Sequence, residues 1–243
     1  MNRTNKCTAV VLSAGSGKRM NSNVAKQYLD LLDKPVIWYA LNAFEQSALI
    51  DEIILVVGKD SISYCKEEIV DKYEFKKITS IVEGGAERYL SVWEALKTIK
   101  SDNPQSHYVF IHDGARPFVS EQIIADTYQA AIEHKACVAA MPVKDTIKIS
   151  DENGFAVQTP KRKNVWMVQT PQVFEYELIY GAYSKVINHL DELKRQGIEI
   201  TDDAMVVETI GNYPIKLVPA SYENIKITTP EDMVVAKSFL ESN

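Results

Sequence analysis

Short aliphatic runs alternate along this chain with longer segments whose apolar residues recur every three or four positions, and few folds accommodate that rhythm. Ala9–Leu12 is a continuous run ending in the glycine-containing stretch Ser13–Gly17, the pattern of a strand buried on both faces. Ile53–Val57, Ile78–Val82 and Tyr108–Ile111 are read as the next strands. Between and after them lie helical patterns: Ile37, Ala40, Leu41 and Phe44 behind Asp33 and Pro35; Ser61–Val70; Leu90, Trp93, Leu96 and Ile99; and a segment from Ser120 carrying Ile123, Ile124, Thr127 and Ile132. Thr229, Pro230, Glu231 and Asp232 supply an N-cap, a first-turn proline and two first-turn carboxylates for a closing helix over MVVAKSFL. Strands joined through helices of this length predict right-handed βαβ crossovers, so the fold class is α/β with a mostly parallel sheet flanked by helices.

One segment breaks the rhythm. Thr146–Thr159, TIKISDENGFAVQT, alternates with period two on both sides of Asn153-Gly154, a strong hairpin signal. A hairpin with so little apolar content needs something to lean on. The pattern leaves two arrangements open: an arm at about 143–165 that projects onto a second subunit, or an edge hairpin on its own subunit. The basic triplet Lys161, Arg162, Lys163 follows it. No Gly/Ser linker, repeat or low-complexity stretch divides the chain, which reads as a single domain, 1–243, with an arm.

Charge narrows the partners. Lys plus Arg number 27 against 33 Asp plus Glu, a formal charge of −6, so a general basic coat for a nucleic-acid backbone is absent and any anion must be met by a local cluster. Cys7, Cys65 and Cys137 lie far apart, without a CxxC pair or metal spacing, and read as reduced, buried thiols. The first apolar stretch is too short for a secretory segment and no later run is long enough to span a membrane. The expectation is a cytoplasmic protein with small-molecule partners, neither nucleic acid nor membrane.

SAGSGKRM, Ser13 to Met20, follows the first strand, where glycines let backbone N–H groups approach a phosphate closely. A P-loop would need glycine at Leu12 and Ser or Thr at Arg19; a dinucleotide fingerprint would place its third glycine at Met20. What remains is a looser triphosphate cradle with Lys18, Arg19 and Lys26, or a merely tight turn with solvated cations.

Taken with AKQYL and Lys34–Val36, this order of residues resembles the sugar-phosphate and alditol-phosphate cytidylyltransferases, and within them the group acting on 2-C-methyl-D-erythritol 4-phosphate. Later blocks carry the same resemblance: GGAERYLSV from Gly84, IHDGARPF from Ile111, PVKDTIK from Pro142, QTPQVF from Gln169, TDDA from Thr201 and NIKITTPED from Asn224. The resemblance implies a Rossmann-like fold, a homodimer built through the hairpin arm, and transfer of CMP from CTP to a phosphorylated polyol with release of pyrophosphate, a step in non-mevalonate isoprenoid precursor synthesis. Ribitol 5-phosphate is the alternative acceptor. A nicotinamide dehydrogenase and a nucleotide-sensing module are the readings from other classes. Met20 and the cluster Lys18, Arg19, Lys26 stand against the first; the joint presence of Asp113, Lys226 and Arg162 stands against the second.

By position in the motifs, Arg19, Lys26 and Lys226 are the expected catalytic cations. Ala14, Gly15, Gly17, Lys18, Gly85, Ser91 and Gly114 are expected around the nucleotide. Arg116, Thr146, Arg162, Thr170 and Thr201 are expected around the acceptor, with Thr146 and Arg162 acting on the neighbouring subunit. Asp113 is the carboxylate expected beside Mg2+. Arg88 reads either as a further nucleotide contact or as pairing with a carboxylate of its own helix, His112 as a structural imidazole, and Lys226 alone as an exposed strand position between Ile225 and Ile227. Two residues depart from the family pattern: Ala25 stands where it usually has proline, and Gly114 where it often has alanine, which would loosen the turn beside Asp113.

Overall fold

The structure, a computed structural model, describes residues 5–15, 25–100 and 107–242. In chain order the elements are β1 (Lys6–Ser13), β2 (Asp30–Leu31), β3 (Lys34–Pro35), α1 (Val36–Gln46), β4 (Glu52–Val57), α2 (Ile62–Cys65), β5 (Ile78–Glu83), α3 (Arg88–Thr98), β6 (His107–Asp113) and α4 (Glu121–His134). There follow β7 (Ala136–Pro142), β8 (Ile149–Ser150), β9 (Ala156–Gln158), β10 (Trp166–Glu175), α5 (Tyr176–Asn188), α6 (Leu190–Arg195), α7 (Asp203–Met205), β11 (Lys216–Pro219) and α8 (Pro230–Glu241). A single 3-10 turn, Lys26–Tyr28, precedes β2, and α2 continues into a wider turn over Lys66–Asp71.

Seven strands form one sheet in the order β11-β7-β10-β6-β1-β4-β5. All ladders are parallel except those that β10 makes with β6 and β7. Mostly parallel order follows from the βα alternation; the reversed β10 is the strand that returns from the arm. Continuous apolar runs work here because both faces are covered. Along β1, Cys7, Ala9 and Val11 join a cluster with Ile37, Leu41 and Phe44 of α1 and Ile124 and Tyr128 of α4. Val10 points to the other face, among Val92 and Leu96 of α3 and Ile179, Tyr183 and Val186 of α5. Each buried Val, Leu, Ile or Phe among them contributes about 1.5–3 kcal/mol by leaving water, and the three thiols are buried and outside any disulfide.

The chain leaves β1 for β4 and β5 on one side and returns to β6 on the other. The crossovers therefore diverge outside the carboxyl ends of β1 and β6, which opens a crevice there. Local signals behave as their chemistry predicts. Ser120 Oγ accepts from the Ile123 N–H at 3.3 Å to start α4, and Asp232 Oδ2 accepts from the Thr228 and Thr229 N–H groups to start α8.

The hairpin differs from its expected form. Only β8 and β9 pair, with an irregular register. The loop between them is closed by Asp151 and Phe155, with the Asp151 carboxylate accepting from the Asn153 and Phe155 N–H groups and Gly154 at φ +84°. The Asp151 side chain thus substitutes for a tighter two-residue turn at Asn153-Gly154. From residue 144 to 159 every side chain is exposed.

Candidate active site

A cavity of about 230 Å³ lies at the carboxyl ends of β1, β5 and β6. Its walls are Leu12 to Gly15, Lys26 and Gln27, Gly85 to Arg88, Ser91, Asp113, Ala115 and Lys226. Gln27 is buried and donates from Nε2 to the carbonyls of Ser13 and Gly15, at 2.6 and 3.1 Å. That strap ties the loop after β1 to the turn carrying Lys26. Across the cavity, Ser91 Oγ reaches the Gly85 and Glu87 carbonyls at 3.3 and 3.1 Å and fixes the glycine loop against α3. A methyl group on Gly84 would come 2.6 Å from both the Ala14 Cβ and Ser91 Oγ, so the close approach of these two loops requires glycine.

Asp113, the last residue of β6, is the electrostatic centre. Lys226 Nζ stands 2.8 Å from Oδ2, Arg88 Nε 3.4 Å from Oδ1 and Arg116 Nε 3.7 Å from Oδ2. Burial opposes ionisation of this carboxyl, but the charges of Arg88, Lys226 and Arg116 outweigh it and hold Asp113 far below the ordinary carboxylate range. The Asp113 N–H donates to Thr170 Oγ1 at 3.1 Å, and that hydroxyl also meets His112 Nδ1 at 3.0 Å. His112 is buried, bonded through Nε2 to the Arg116 carbonyl at 3.1 Å, and burial pushes its imidazole down to about 4. It is neutral and spoken for, as its structural reading expects.

Lys226 reaches Asp113 from the far end of the chain because its neighbours are pinned. Asn224 is buried, donating to Gln169 Oε1 and the Thr170 carbonyl at 3.1 and 2.9 Å. Its own carbonyl accepts from Arg116 at 2.8 Å, and the Ile227 N–H donates to the Ala115 carbonyl at 2.8 Å. Residues 225–228 form no strand, so the alternation read from the sequence is that of an extended segment between two anchors.

Of the residues expected at the site, Ala14, Gly15, Lys26, Gly85, Ser91, Asp113 and Lys226 line this one cavity. Arg116 and Thr170 stand behind it, in contact with Asp113. Gly114 lies beneath: its N–H donates to the Leu12 carbonyl at 2.8 Å, and a Cβ there would sit 2.9 Å from that same oxygen. Glycine therefore draws the turn close to β1 rather than loosening it. Gly17, Lys18 and Arg19 lie outside the described residues. Thr146, Arg162 and Thr201 are exposed and outside the cavity wall; Arg162 donates to the Lys144 carbonyl at 3.2 Å. Arg88 pairs with no carboxylate of α3 but bridges Asp113 and, at 2.7 Å, Asp203. Gln27 and Asp203 were missed by reasoning from motifs. The only sequence signals for them are their places inside AKQYL and TDDA.

Among the described residues no group of three or more His, Cys, Asp or Glu side chains could hold a metal ion. A cation here would rest on Asp113 alone, with its other ligands from substrate oxygens and water. Mg2+ bound beside phosphates commonly uses one or two carboxylates, so the residues present fit that mode.

The family described as 2-C-methyl-D-erythritol 4-phosphate cytidylyltransferase (IspD) matches residues 7–242. A relative of that name from Lachnoclostridium phytofermentans is 50% identical over 238 residues, covering 98% of this chain and 97% of its own. Another from Lachnospira eligens is 51% identical over 236 residues, covering 96% and 99%. The crystal structure of 4-diphosphocytidyl-2C-methyl-D-erythritol synthase from Anaerococcus prevotii superposes with a TM-score of 0.81 at 36% identity, covering 98% of this chain and 96% of that one. Strand order, the cavity at the switch point and full-length likeness agree, and the chain belongs to the 2-C-methyl-D-erythritol 4-phosphate cytidylyltransferase family.

Proposed function

We propose that the cavity binds CTP and transfers its CMP unit to 2-C-methyl-D-erythritol 4-phosphate, giving 4-diphosphocytidyl-2-C-methyl-D-erythritol and pyrophosphate. A phosphate oxygen of the acceptor bonds to the α-phosphorus as the bond from that phosphorus to the β-phosphate oxygen breaks. The acceptor phosphate has its second pKa at about 6 and arrives largely as a dianion, so a general base is dispensable and neutral His112 is no loss. The difficulty is electrostatic: two polyanions must meet and charge must be stabilised as the bond changes hands. The observation that carries the reading is the convergence of Lys26 and Lys226, 200 positions apart in sequence, on one cavity around Asp113.

In this reading Lys26 meets the triphosphate from the β1 side, together with Arg19 and Lys18. Lys226 leaves Asp113 for phosphate oxygens as nucleotide enters. Asp113 is the residue that would hold Mg2+, and the ion would supply charge neutralisation there. Backbone groups of Ala14, Gly15 and Gly85, with Ser91, select the base and ribose. Arg116 and Thr170 hold Asp113 and the acceptor side of the site, with Thr201 further out. The chain works as one catalytic domain, in a reducing compartment such as the cytoplasm that suits three thiols outside any disulfide.

The arm completes the site by pairing two copies. Support comes from its exposure: Ile149, Phe155 and Val157, among its few apolar side chains, are 46%, 72% and 63% exposed, and a partner would cover them. Thr146 and Arg162 lie at its base, apart from their own cavity, and in a homodimer they serve the neighbour's acceptor. Pyrophosphate release from CTP and Mg2+, measured with 2-C-methyl-D-erythritol 4-phosphate and with ribitol 5-phosphate at equal concentration, tests the acceptor. Release with the first and none above background with the second is expected; the reverse overturns the assignment.

A further inference from the structure

Behind the cavity wall lies a carboxylate that none of these roles uses. Asp203 is completely buried at the start of α7. Its Oδ2 takes the Arg88 Nη2 at 2.7 Å, and its Oδ1 accepts from the hydroxyl of Tyr183, itself fully buried in α5. The turn that carries it is held rigidly. Asp202 Oδ1 accepts from the Met205 N–H at 2.9 Å, while Gln172 of β10 donates to Asp202 Oδ2 and accepts from the Ala204 N–H, both at 2.9 Å.

We infer that Asp203 is a positioning residue that, through Arg88, sets how Asp113 faces the cavity. Arg88 spans two carboxylates, close to Asp203 and more distant, at 3.4 Å, from Asp113. A guanidinium anchored at one end by a fixed counter-charge cannot close on the other carboxylate. Asp113 is thereby steered through Oδ1 yet keeps Oδ2 for Lys226 at 2.8 Å and for the cavity. Without the Asp203 charge, Asp113 is the carboxylate left to Arg88. The guanidinium then tightens on it, turns Oδ2 away and takes up charge that the reaction uses. The inference rests on the CMP-transfer reading for its kinetic consequence, but not for its geometry.

Asp203→Asn keeps the size of the side chain and removes the charge. Its kcat is expected to fall roughly 10- to 100-fold, with KM for CTP moving less than about threefold, the range for a partner that orients a group at the reacting centre. In an Arg88→Met background the same change should cost less than about twofold, because residues acting as one unit are not additive. The Arg88 Nε–H signal in 15N-labelled protein, assigned with Arg88→Met, should shift in Asp203→Asn while the thermal midpoint and amide spectrum of the core remain native-like. An unchanged kcat, or an equal loss with and without Arg88, overturns the inference. If Asp203→Asn does not fold, Tyr183→Phe decides by deleting one hydrogen bond to Asp203: a severalfold lower kcat supports the inference, and a native kcat overturns it. If the native chain itself releases no pyrophosphate, the CMP-transfer reading fails. The Arg88 signal then judges the positioning alone, and an unshifted signal in Asp203→Asn sinks it.

Discussion

A lysine flanked by two isoleucines carries little information until its neighbours are placed. Lys226 looks like an exposed strand residue because Ile225 and Ile227 are apolar. In fact buried Asn224 and the Ile227 N–H fix the segment and aim the ammonium at Asp113. Lys226→Ala should therefore lower kcat by about 10²–10³-fold, the scale of one lost electrostatic donor, in a pyrophosphate-release assay with native-like thermal stability. Arg88 was the harder case. Its partners lie 25 and 115 positions away, so no local spacing could reveal them. A motif places a residue near a site but does not say which carboxylate neutralises it.

Elements were more legible than contacts. Continuous apolar runs gave β1, β4 and β6, and three-to-four spacing gave α1, α3 and α4, since burial on one or two faces writes itself into periodicity. β10 was legible only through the block QTPQVF, and β7 was not read from the sequence. β10 is half exposed where it leaves the arm and fully buried beyond Val168, so neither period spans it. The arm was visible in Asn153-Gly154, but its short pairing was not, because Asp151 closes the loop through a side chain. The glycine loop after β5 gives a sharper expectation. Gly84→Ala places a methyl against Ala14 and Ser91, and should cost about 1–3 kcal/mol of stability, as overpacking does. CTP affinity, read by titration calorimetry, should weaken at the same time because both displaced neighbours belong to the cavity side.

At the scale of the whole molecule, one titration far from the site reports on folding. His107 is buried at the amino end of β6, with Nε2 2.7 Å from Thr8 Oγ1. Thr8 spends its hydroxyl proton on Glu52 at 2.7 Å, so His107 donates from Nε2 and its Nδ1 has no hydrogen-bond partner. Burial, aided by Lys6, pushes the imidazole from 6.5 down to about 4. Between those values the unfolded chain binds a proton that the folded chain does not, so stability falls as pH drops from 6.5 toward 4. Denaturant unfolding should lose about 2 kcal/mol between pH 7 and pH 5 from this group, and His107→Gln should remove that share of the slope and leave the share of His112, whose imidazole is also pushed down to about 4.

The proposed pairing of two copies carries its own expectation. Equal amounts of inactive Arg162→Ala and Lys226→Ala subunits, mixed and allowed to exchange, should recover about a quarter of native activity, since half the dimers then hold one intact site of two. No recovery after verified exchange would place Arg162 in its own subunit's site. The most direct test of the account is a crystal structure with CTP bound. In it, Lys226 Nζ should be drawn away from Asp113 to within hydrogen-bond reach of a phosphate oxygen, with Lys26 on the opposite side of the triphosphate. A nucleotide seated elsewhere, with Lys226 still on Asp113 and Lys26 turned outward, would contradict it.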